Sequence, residues 1–98
     1  MTTGFHPPQE EYLEAMYELE EAGVDVIRAR LAERLGHAAP TVSEMVRRLE
    51  TDGYLQTEGR DLKMTAAGRN LAESVVRRHR LAERLLADVI GLEWHKAH

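Results

Sequence analysis

Residues 40–64 constrain the fold more than any other stretch, because their pattern predicts a helix that runs directly into a short β-hairpin. Pro40 suits the first turn of that helix, where its missing N–H has no partner to lose. Apolar residues follow at the spacing of one helical face: Val42, Met45, Val46 and Leu49. The opposite face carries hydrogen-bonding and guanidinium groups that suit base edges and phosphates: Ser43, Glu44, Arg47 and Arg48.

The hairpin is predicted from the residues after this helix. Asp52-Gly53 predicts the helix end, since glycine tolerates the left-handed conformation that closes many helices. Residues 54–57 and 62–65 have the composition of short strands, joined by a turn at 58–61. A helix followed by such a hairpin is the arrangement with which a winged helix binds DNA. Exposed arginines occur on any amphipathic helix, so the prediction of DNA binding depends on the helix and hairpin together.

Apolar periodicity predicts three further helices, at about 9–21, 26–35 and 66–90, with Asp25 as the N-cap of the second. Only a short interval separates the second helix from the Pro40 helix, which is typical of a helix-turn-helix. The predicted fold is therefore mainly α with a small β-hairpin, a winged helix-turn-helix followed by a long helix.

The long helix is expected to begin after Thr65 as N-cap and to end at Gly91, with another helix starting beyond it. Gly68 is expected to permit close approach to the DNA-binding part of the chain. The predicted core stripe of this helix is Leu71, Val75, Ala82, Leu86 and Val89.

Charge is distributed unevenly along a chain whose net charge is −4. The first 22 residues carry six glutamates and no lysine or arginine, so the rest of the chain is close to neutral. Non-specific attraction to DNA is therefore expected to be modest, unless positive charge is concentrated on one face or doubled by dimerisation.

The composition excludes several classes of protein. The chain has no cysteine, so disulfides and thiolate zinc sites are excluded. No apolar run approaches the roughly 20 residues that span a bilayer, and the N-terminus lacks the pattern of a signal peptide. We expect a cytoplasmic protein with no membrane partner.

Two sets of residues are candidate metal ligands. Glu11, Glu14 and Glu18 share one face of the first helix, which predicts either a solvated acidic face or carboxylates that bind a cation. His79 and Glu83 are one turn apart near the border of the long helix's apolar stripe, where both are expected to be partly buried. The pair suits a shared cation, a simple His–Glu hydrogen bond, or a salt bridge from Glu83 to Arg80. His98 is a possible third ligand or an exposed terminal histidine.

The chain resembles, over essentially its whole length, the N-terminal part of the metal-dependent repressors of the diphtheria toxin repressor family, which has iron-responsive and manganese-responsive branches. Many segments in register carry the resemblance: Tyr12-Leu13, Met16–Glu21, Arg28–Leu35, Pro40–Ser43, Asp52-Gly53, Met64-Thr65, Gly68-Arg69, His79–Leu86 and Ile90–Leu92. It implies a winged helix over 1–65 and, over 66–98, the start of a helical metal-binding and dimerisation domain.

The resemblance also implies metal ligands. His79, Glu83 and His98 match the family's ancillary-site ligands in this part of the chain, and Glu14 matches a carboxylate ligand of the manganese branch. Glu11 stands where the iron branch has methionine and the manganese branch aspartate. Carboxylate oxygens favour Mn(II), whereas the His79-to-Glu83 segment is similar to the iron branch, so Mn(II) is the first expectation and Fe(II) the second. The family's main site also uses a motif beyond His98 that this sequence lacks, so we expect an incomplete main site unless the chain is a fragment of a longer protein.

The residues expected to contact DNA are Arg28, His37, Pro40, Thr41, Ser43, Glu44, Arg48 and Arg60. Glu44 replaces a glutamine of the iron branch, and Ala38 a frequent serine. Because a carboxylate cannot donate a hydrogen bond as an amide does, the operator preference is left open.

The function implied is that of a transcriptional repressor that binds palindromic double-stranded operator DNA as a homodimer when loaded with metal, and thereby controls metal homeostasis. We do not expect an enzyme: a metalloenzyme using His79, Glu83 and His98 would need a general base or substrate pocket that no motif supplies. The alternatives are a winged-helix regulator not controlled by metal and an unregulated DNA-binding fragment.

Overall fold

The computed structural model describes residues 8–97 and the side chains of residues 8–91. Within these residues the chain forms four helices and one antiparallel hairpin, which confirms the predicted fold class. In chain order the elements are α1 (Pro8–Glu21), α2 (Arg28–Leu35), α3 (Ala39–Thr51), β1 (Leu55–Glu58), β2 (Asp61–Met64) and α4 (Ala66–Ala97).

One hydrophobic core joins these elements. Its buried residues come from α1, α2, α3, the hairpin and the start of α4: Tyr12, Leu13, Ala15, Met16, Leu19, Leu31, Val42, Val46, Leu49, Leu55, Leu62 and Ala72. The predicted apolar face of α3 is confirmed, because Val42, Val46 and Leu49 are buried and Met45 packs against this core. No buried polar or charged residue accompanies them in the described part of the chain.

The segment between α1 and α2 runs along the hairpin. Ile27 forms a β-bridge with Asp61, and the Leu62 N–H donates to the carbonyl of Val26 at 2.9 Å. Because this pairing holds Ile27 extended, α2 begins at Arg28 with Ile27 as its N-cap and without a side-chain capping bond. The predicted cap at Asp25 and helix start at Val26 were therefore wrong.

A tight turn connects α2 to α3. Gly36 adopts the left-handed conformation, with φ of 69°, and its N–H donates to the carbonyl of Ala32 at 2.9 Å. Ala38 is extended and precedes α3, whose first turn contains Pro40 as predicted. This short turn places α3 directly after α2, which is the helix-turn-helix arrangement.

The hairpin has a shorter turn than predicted. Leu55 pairs with Met64 and Glu58 with Asp61, so only Gly59 and Arg60 form the turn. Gly59 has a φ of 61° and occupies the first central position, as in a type II′ turn, whose twist matches that of the strands. The pairing therefore extends one residue further towards the turn than the sequence pattern indicated.

The start of α4 packs closely against the segment that follows α3. The Thr65 hydroxyl accepts a hydrogen bond from the Gly68 N–H at 3.1 Å and donates to the carbonyl of Gly53 at 2.6 Å, which confirms the predicted cap. A Cβ added to Gly68 would lie 1.9 Å from the carbonyl oxygen of Tyr54. The prediction that Gly68 permits close approach is confirmed.

The second half of α4, from Leu81 to Ala97, departs from the prediction. The helix continues through Gly91 to Ala97, because a glycine ends a helix only where the chain turns into a left-handed or other non-helical conformation. Of the predicted core stripe, Val75 is buried and Leu71 partly buried, but the last three members are exposed: Ala82, Leu86 and Val89. That stripe was wrong beyond Val76, where the helix extends past the core. No helix in the described part of the chain is long and apolar enough to cross a membrane.

Candidate DNA-binding surface and metal ligands

The polar face of α3 is open. Pro40, Thr41, Glu44 and Arg48 are exposed, and Ser43 is partly buried. Val42, Val46 and Leu49 on the opposite face are fully buried, so the orientation of α3 in the core leaves its polar residues outside. The surface offers hydroxyl, carboxylate and guanidinium groups, the chemistry with which a helix contacts base edges and phosphates.

Two candidate basic residues, Arg28 at the start of α2 and Arg60 in the hairpin turn, have neighbouring backbones. Arg28 follows Ile27, and Arg60 precedes Asp61; Ile27 and Asp61 form the β-bridge between the two segments. Arg60 is exposed in the hairpin turn, and Arg28 is partly buried at the first residue of α2. The fold therefore brings close together the backbones of two basic residues that are 32 positions apart in the sequence.

His37 lies in the turn before α3 and makes a contact that the sequence did not predict. Its Nδ1 lies 2.7 Å from the hydroxyl oxygen of Tyr12, on α1. Burial raises the pKa of the Tyr12 hydroxyl, and the neighbouring Glu11 carboxylate adds to that shift. The hydroxyl therefore keeps its proton at neutral pH and links α1 to the turn that precedes α3.

The acidic helix α1 is held by ion pairs to the two basic helices around it. Arg34 of α2 pairs with Glu18 at 2.7 Å. Arginines of α4 form the other ion pairs: Glu10–Arg78 at 3.3 Å, Glu20–Arg69 at 2.9 Å and Glu21–Arg80 at 2.6 Å. The Glu14 carboxylate also lies 2.6 Å from Nδ1 of His79 on α4. Glu18 is therefore paired with a guanidinium, and Glu14 contacts an imidazole, so neither carboxylate is simply solvated.

These basic partners were missed from sequence. The sequence nevertheless contains a signal for these pairs. The first 22 residues are strongly acidic, and the basic run Arg-Arg-His-Arg stands at 77–80. The proposed salt bridge from Glu83 to Arg80 does not form, because Arg80 bonds instead to Glu21, and that hydrogen bond raises the pKa of the Arg80 guanidinium.

The candidate metal ligands are only partly brought together. Glu14 and His79 are in contact and about three-quarters or more shielded from solvent, at 19% and 26% exposure of their side chains. Glu11 and Glu83 are exposed, so the expected partial burial of Glu83 was wrong, since α4 has left the core at that point. His98 lies outside the described residues.

The described residues supply suitable donor atoms but not a full ligand set. A carboxylate oxygen and an imidazole nitrogen on neighbouring helices are ligands that Mn(II) and Fe(II) accept. Among the residues whose side chains are described, however, no group of three or more histidine, aspartate or glutamate residues is close enough to hold a metal ion. Glu14 and His79 thus fit the chemistry of a metal site as a pair.

Comparison with protein families gives two adjacent matches. Residues 5–61 match the model of the iron dependent repressor N-terminal DNA binding domain, and residues 65–98 match the metal binding and dimerisation domain of the same repressors. The two matches are separated by residues 62–64, which belong to β2 and precede α4.

Curated relatives share more than half of the aligned residues. The diphtheria toxin repressor of Corynebacterium jeikeium is 58% identical over 90 residues, which cover 91% of this chain and 38% of the relative. The iron-dependent repressor IdeR of Mycobacterium tuberculosis is 57% identical over 90 residues, or 91% of this chain and 39% of the relative. The chain thus spans about two-fifths of the length of these relatives.

Solved structures with similar folds include metal-associated regulators. The manganese regulator SloR superposes with a TM-score of 0.67 at 35% identity, covering 79% of this chain and 36% of that one. ScaR with bound Zn²⁺ gives a TM-score of 0.72 at 29% identity, covering 87% of this chain and 40% of that one. A Staphylococcus aureus MepR–DNA complex, at 22% identity and a TM-score of 0.66, shares the fold.

Proposed function

We infer the function from one established premise: the chain belongs to the iron-dependent repressor family. We propose that it forms the DNA-binding part, and the start of the metal-binding and dimerisation part, of a cytoplasmic transcriptional repressor. In this proposal a homodimer binds palindromic operator DNA when a divalent metal is bound, and so controls metal homeostasis. The proposed boundary between the two parts is at Thr65.

The open polar face of α3 supports operator binding. A helix in the major groove reads bases with side chains near its N-terminus, and Thr41, Ser43 and Glu44 occupy those positions in α3. Arg28 and Arg60, brought together by the β-bridge beside the hairpin, are proposed to contact phosphates. The remaining proposed contacts come from His37, Pro40 and Arg48.

The contact of 2.6 Å between Glu14 and His79 carries the proposal of metal control, because it joins two candidate ligands that lie on different helices. We propose Glu11, Glu14, His79, Glu83 and His98 as the residues of this chain that would hold metal. A bound Mn(II) or Fe(II) would supply positive charge to the carboxylates between α1 and α4. Glu14 and His79 keep the two helices in register there, while Glu10, Glu20 and Glu21 hold α1 through arginines.

Two observations favour different metals. Curated relatives more than half identical to this chain are named as iron-dependent, which favours Fe(II). Glu11 and Glu14 offer carboxylate oxygens, which suit Mn(II), and the fold is similar to that of a manganese regulator. Both metals therefore belong in the test.

The homodimer is proposed from the second half of α4. Large apolar side chains there are more than half exposed: Leu81, Leu85, Leu86, Val89 and Ile90. An apolar surface of this kind marks an interaction site, and the matching family model describes this segment as part of a dimerisation domain. Two copies would place two α3 helices about 34 Å apart, one turn of DNA.

The proposed function can be tested by measuring DNA binding with fluorescence anisotropy. The duplex DNA is first selected from a random library by its binding to this protein. We expect Mn(II) or anaerobic Fe(II) to raise the affinity at least tenfold over chelator, and His79→Gln to reduce that gain. Glu33→Gln, which removes an exposed carboxylate of α2, is the matched control and should leave the gain intact. Equal affinity with metal and with chelator would contradict metal control.

A second candidate is a DNA-binding unit without metal control. It is favoured by the ion pairs that already hold α1 to its neighbours. In that case DNA affinity in chelator would equal that in metal, and breaking the Glu20–Arg69 pair would weaken DNA binding as much as His79→Gln.

A further inference from the structure

The Tyr12–His37 contact links two parts of the proposed repressor that are far apart in the sequence. Tyr12 is a core residue of α1 with 1% of its surface exposed, and its hydroxyl reaches Nδ1 of His37 at 2.7 Å. The rings lie 5.5 Å apart between centroids at an angle of 46°. The backbone of His37 is held as well, because its N–H donates to the carbonyl of Ala32 at 3.1 Å.

The chemistry of the two groups sets the direction of this hydrogen bond. In a neutral imidazole, one nitrogen is a donor and the other an acceptor. An unprotonated imidazole nitrogen is more basic than a phenol oxygen, and a phenol O–H is the better donor. Tyr12 therefore donates to Nδ1, which leaves the proton of neutral His37 on Nε2.

That second nitrogen reaches solvent. No side-chain nitrogen or oxygen in the described part of the chain is both buried and without a hydrogen-bond partner. The only side-chain hydrogen bond of His37 within that part is the one to Tyr12, so Nε2 is accessible. His37 thus presents an N–H donor from the turn immediately before α3.

We infer that Tyr12 is a positioning residue that holds His37 as the Nε2–H tautomer, ready to donate to a phosphate of bound DNA. The inference rests on the proposed DNA-binding function and adds to it a residue of the hydrophobic core that never touches DNA. A phosphate is the expected acceptor, because His37 precedes α3 and hydrogen-bond donors at helix N-termini are common phosphate contacts. Tyr12 pre-orients the ring, so the donor needs no rearrangement when DNA binds.

Nuclear magnetic resonance tests the tautomer directly. Long-range ¹H–¹⁵N correlation on the ¹⁵N-labelled full chain, in chelator and at about pH 8.5, where an ordinary histidine is neutral, reports which nitrogen carries the proton. We expect Nδ1 of His37 to be unprotonated and Nε2 protonated, and Tyr12→Phe to give a mixture of both forms. A proton on Nδ1 in the unsubstituted protein would overturn the inference.

A double-mutant cycle tests the link to DNA. His37→Ala removes the Nε2–H donor, so it should by itself weaken binding of the enriched duplex by about threefold to tenfold. Tyr12→Phe should weaken binding of the enriched duplex by about threefold to tenfold, the scale of one hydrogen bond. Added to His37→Ala, which already lacks the donor, the same substitution should have no further effect.

An equal loss from Tyr12→Phe in both backgrounds, or no loss in either, would overturn the inference. The comparison is made well below each variant's unfolding temperature, measured by circular dichroism, so that a loss of folded protein is not read as weaker binding. If metal does not change the DNA affinity but the double-mutant cycle gives the expected result, only the proposed metal control is contradicted.

Discussion

The two halves of α4 have similar apolar content and opposite environments. In the first half, Ala72 and Val75 are fully buried and Val76 is 4% exposed. In the second half, Leu81 is 56% and Leu86 62% exposed. The first half packs on α1 and on the segment after α3, whereas the second extends beyond both. Burial along one helix is therefore set by what lies beside it and not by its own hydrophobicity.

This difference separates two roles within one element. The first half is part of the core that orients α3, so substitutions there should act on folding. The second half has an apolar surface without a described neighbour, so substitutions there should act on association. The following experiments would break or sharpen this distinction.

The largest effect is expected from Gly68→Ala. Its new Cβ would lie 1.9 Å from a backbone oxygen of Tyr54, so the two segments must separate. We expect unfolding free energy to fall by about 3 kcal/mol or more in urea titration, at the upper end of single substitutions. Gly91→Ala is the matched control in the second half, where nothing lies within 4 Å. It should stabilise the helix by up to about 1 kcal/mol.

The next effect is expected from Val75→Ala compared with Leu86→Ala. Removing two methyl groups at the fully buried Val75 should cost about 1–3 kcal/mol of unfolding free energy, including the cavity left behind. The larger deletion at the exposed Leu86 should change it by less than about 0.5 kcal/mol in dilute protein. Sedimentation and urea titration at rising concentration should then reveal a cost for Leu86→Ala. If Leu86→Ala lowers the unfolding free energy as much as Val75→Ala at every protein concentration, the distinction between the two halves of α4 is contradicted.

A smaller effect is expected where α4 begins. Thr65→Ala removes the hydroxyl that caps the Gly68 N–H and bonds to the carbonyl of Gly53, so we expect a loss of about 1–2 kcal/mol. Thr65→Ser keeps the oxygen and should restore most of the stability in thermal or urea unfolding. If both variants lose the same stability, the methyl group and not the cap is responsible.

The smallest effect is expected from the ion pair between Glu20 and Arg69. Both side chains are about a third or more exposed, so a double-mutant cycle should give a coupling below about 1 kcal/mol that decreases in 1 M NaCl. Arg84→Gln, in the second half of α4, should show no coupling to Glu20. A coupling that persists in high salt would mean that this pair is more shielded than its exposure indicates.

Much of the fold was predictable because its signals are local. The apolar faces of α1 and α3, the Thr65 cap and the close approach at Gly68 each follow from residue type and spacing. The failures share a cause. Asp25 is an ordinary capping residue, but pairing of Ile27 with Asp61 holds the chain extended beyond it. A continued apolar period in α4 does not show where its neighbours end.

The candidate site also has a part that was predictable from the sequence and a part that was not. The exposed polar residues of α3 were predictable, since an amphipathic helix that buries one face must expose the other. The partners of α1 were not, because contacts such as Glu14–His79 and Tyr12–His37 join residues 65 and 25 positions apart. Such pairs depend on how helices cross, which periodicity within one helix does not report.

By itself, the sequence determined which segments become helices, which face of each is apolar, and which family the chain resembles. Only the tertiary structure decided which charges meet, where α4 leaves the core, and that Tyr12 reaches His37. The physical reason is range: helical periodicity and capping act over a few residues. Ion pairs and side-chain hydrogen bonds require atoms within about 4 Å, and only the packed chain brings them that close.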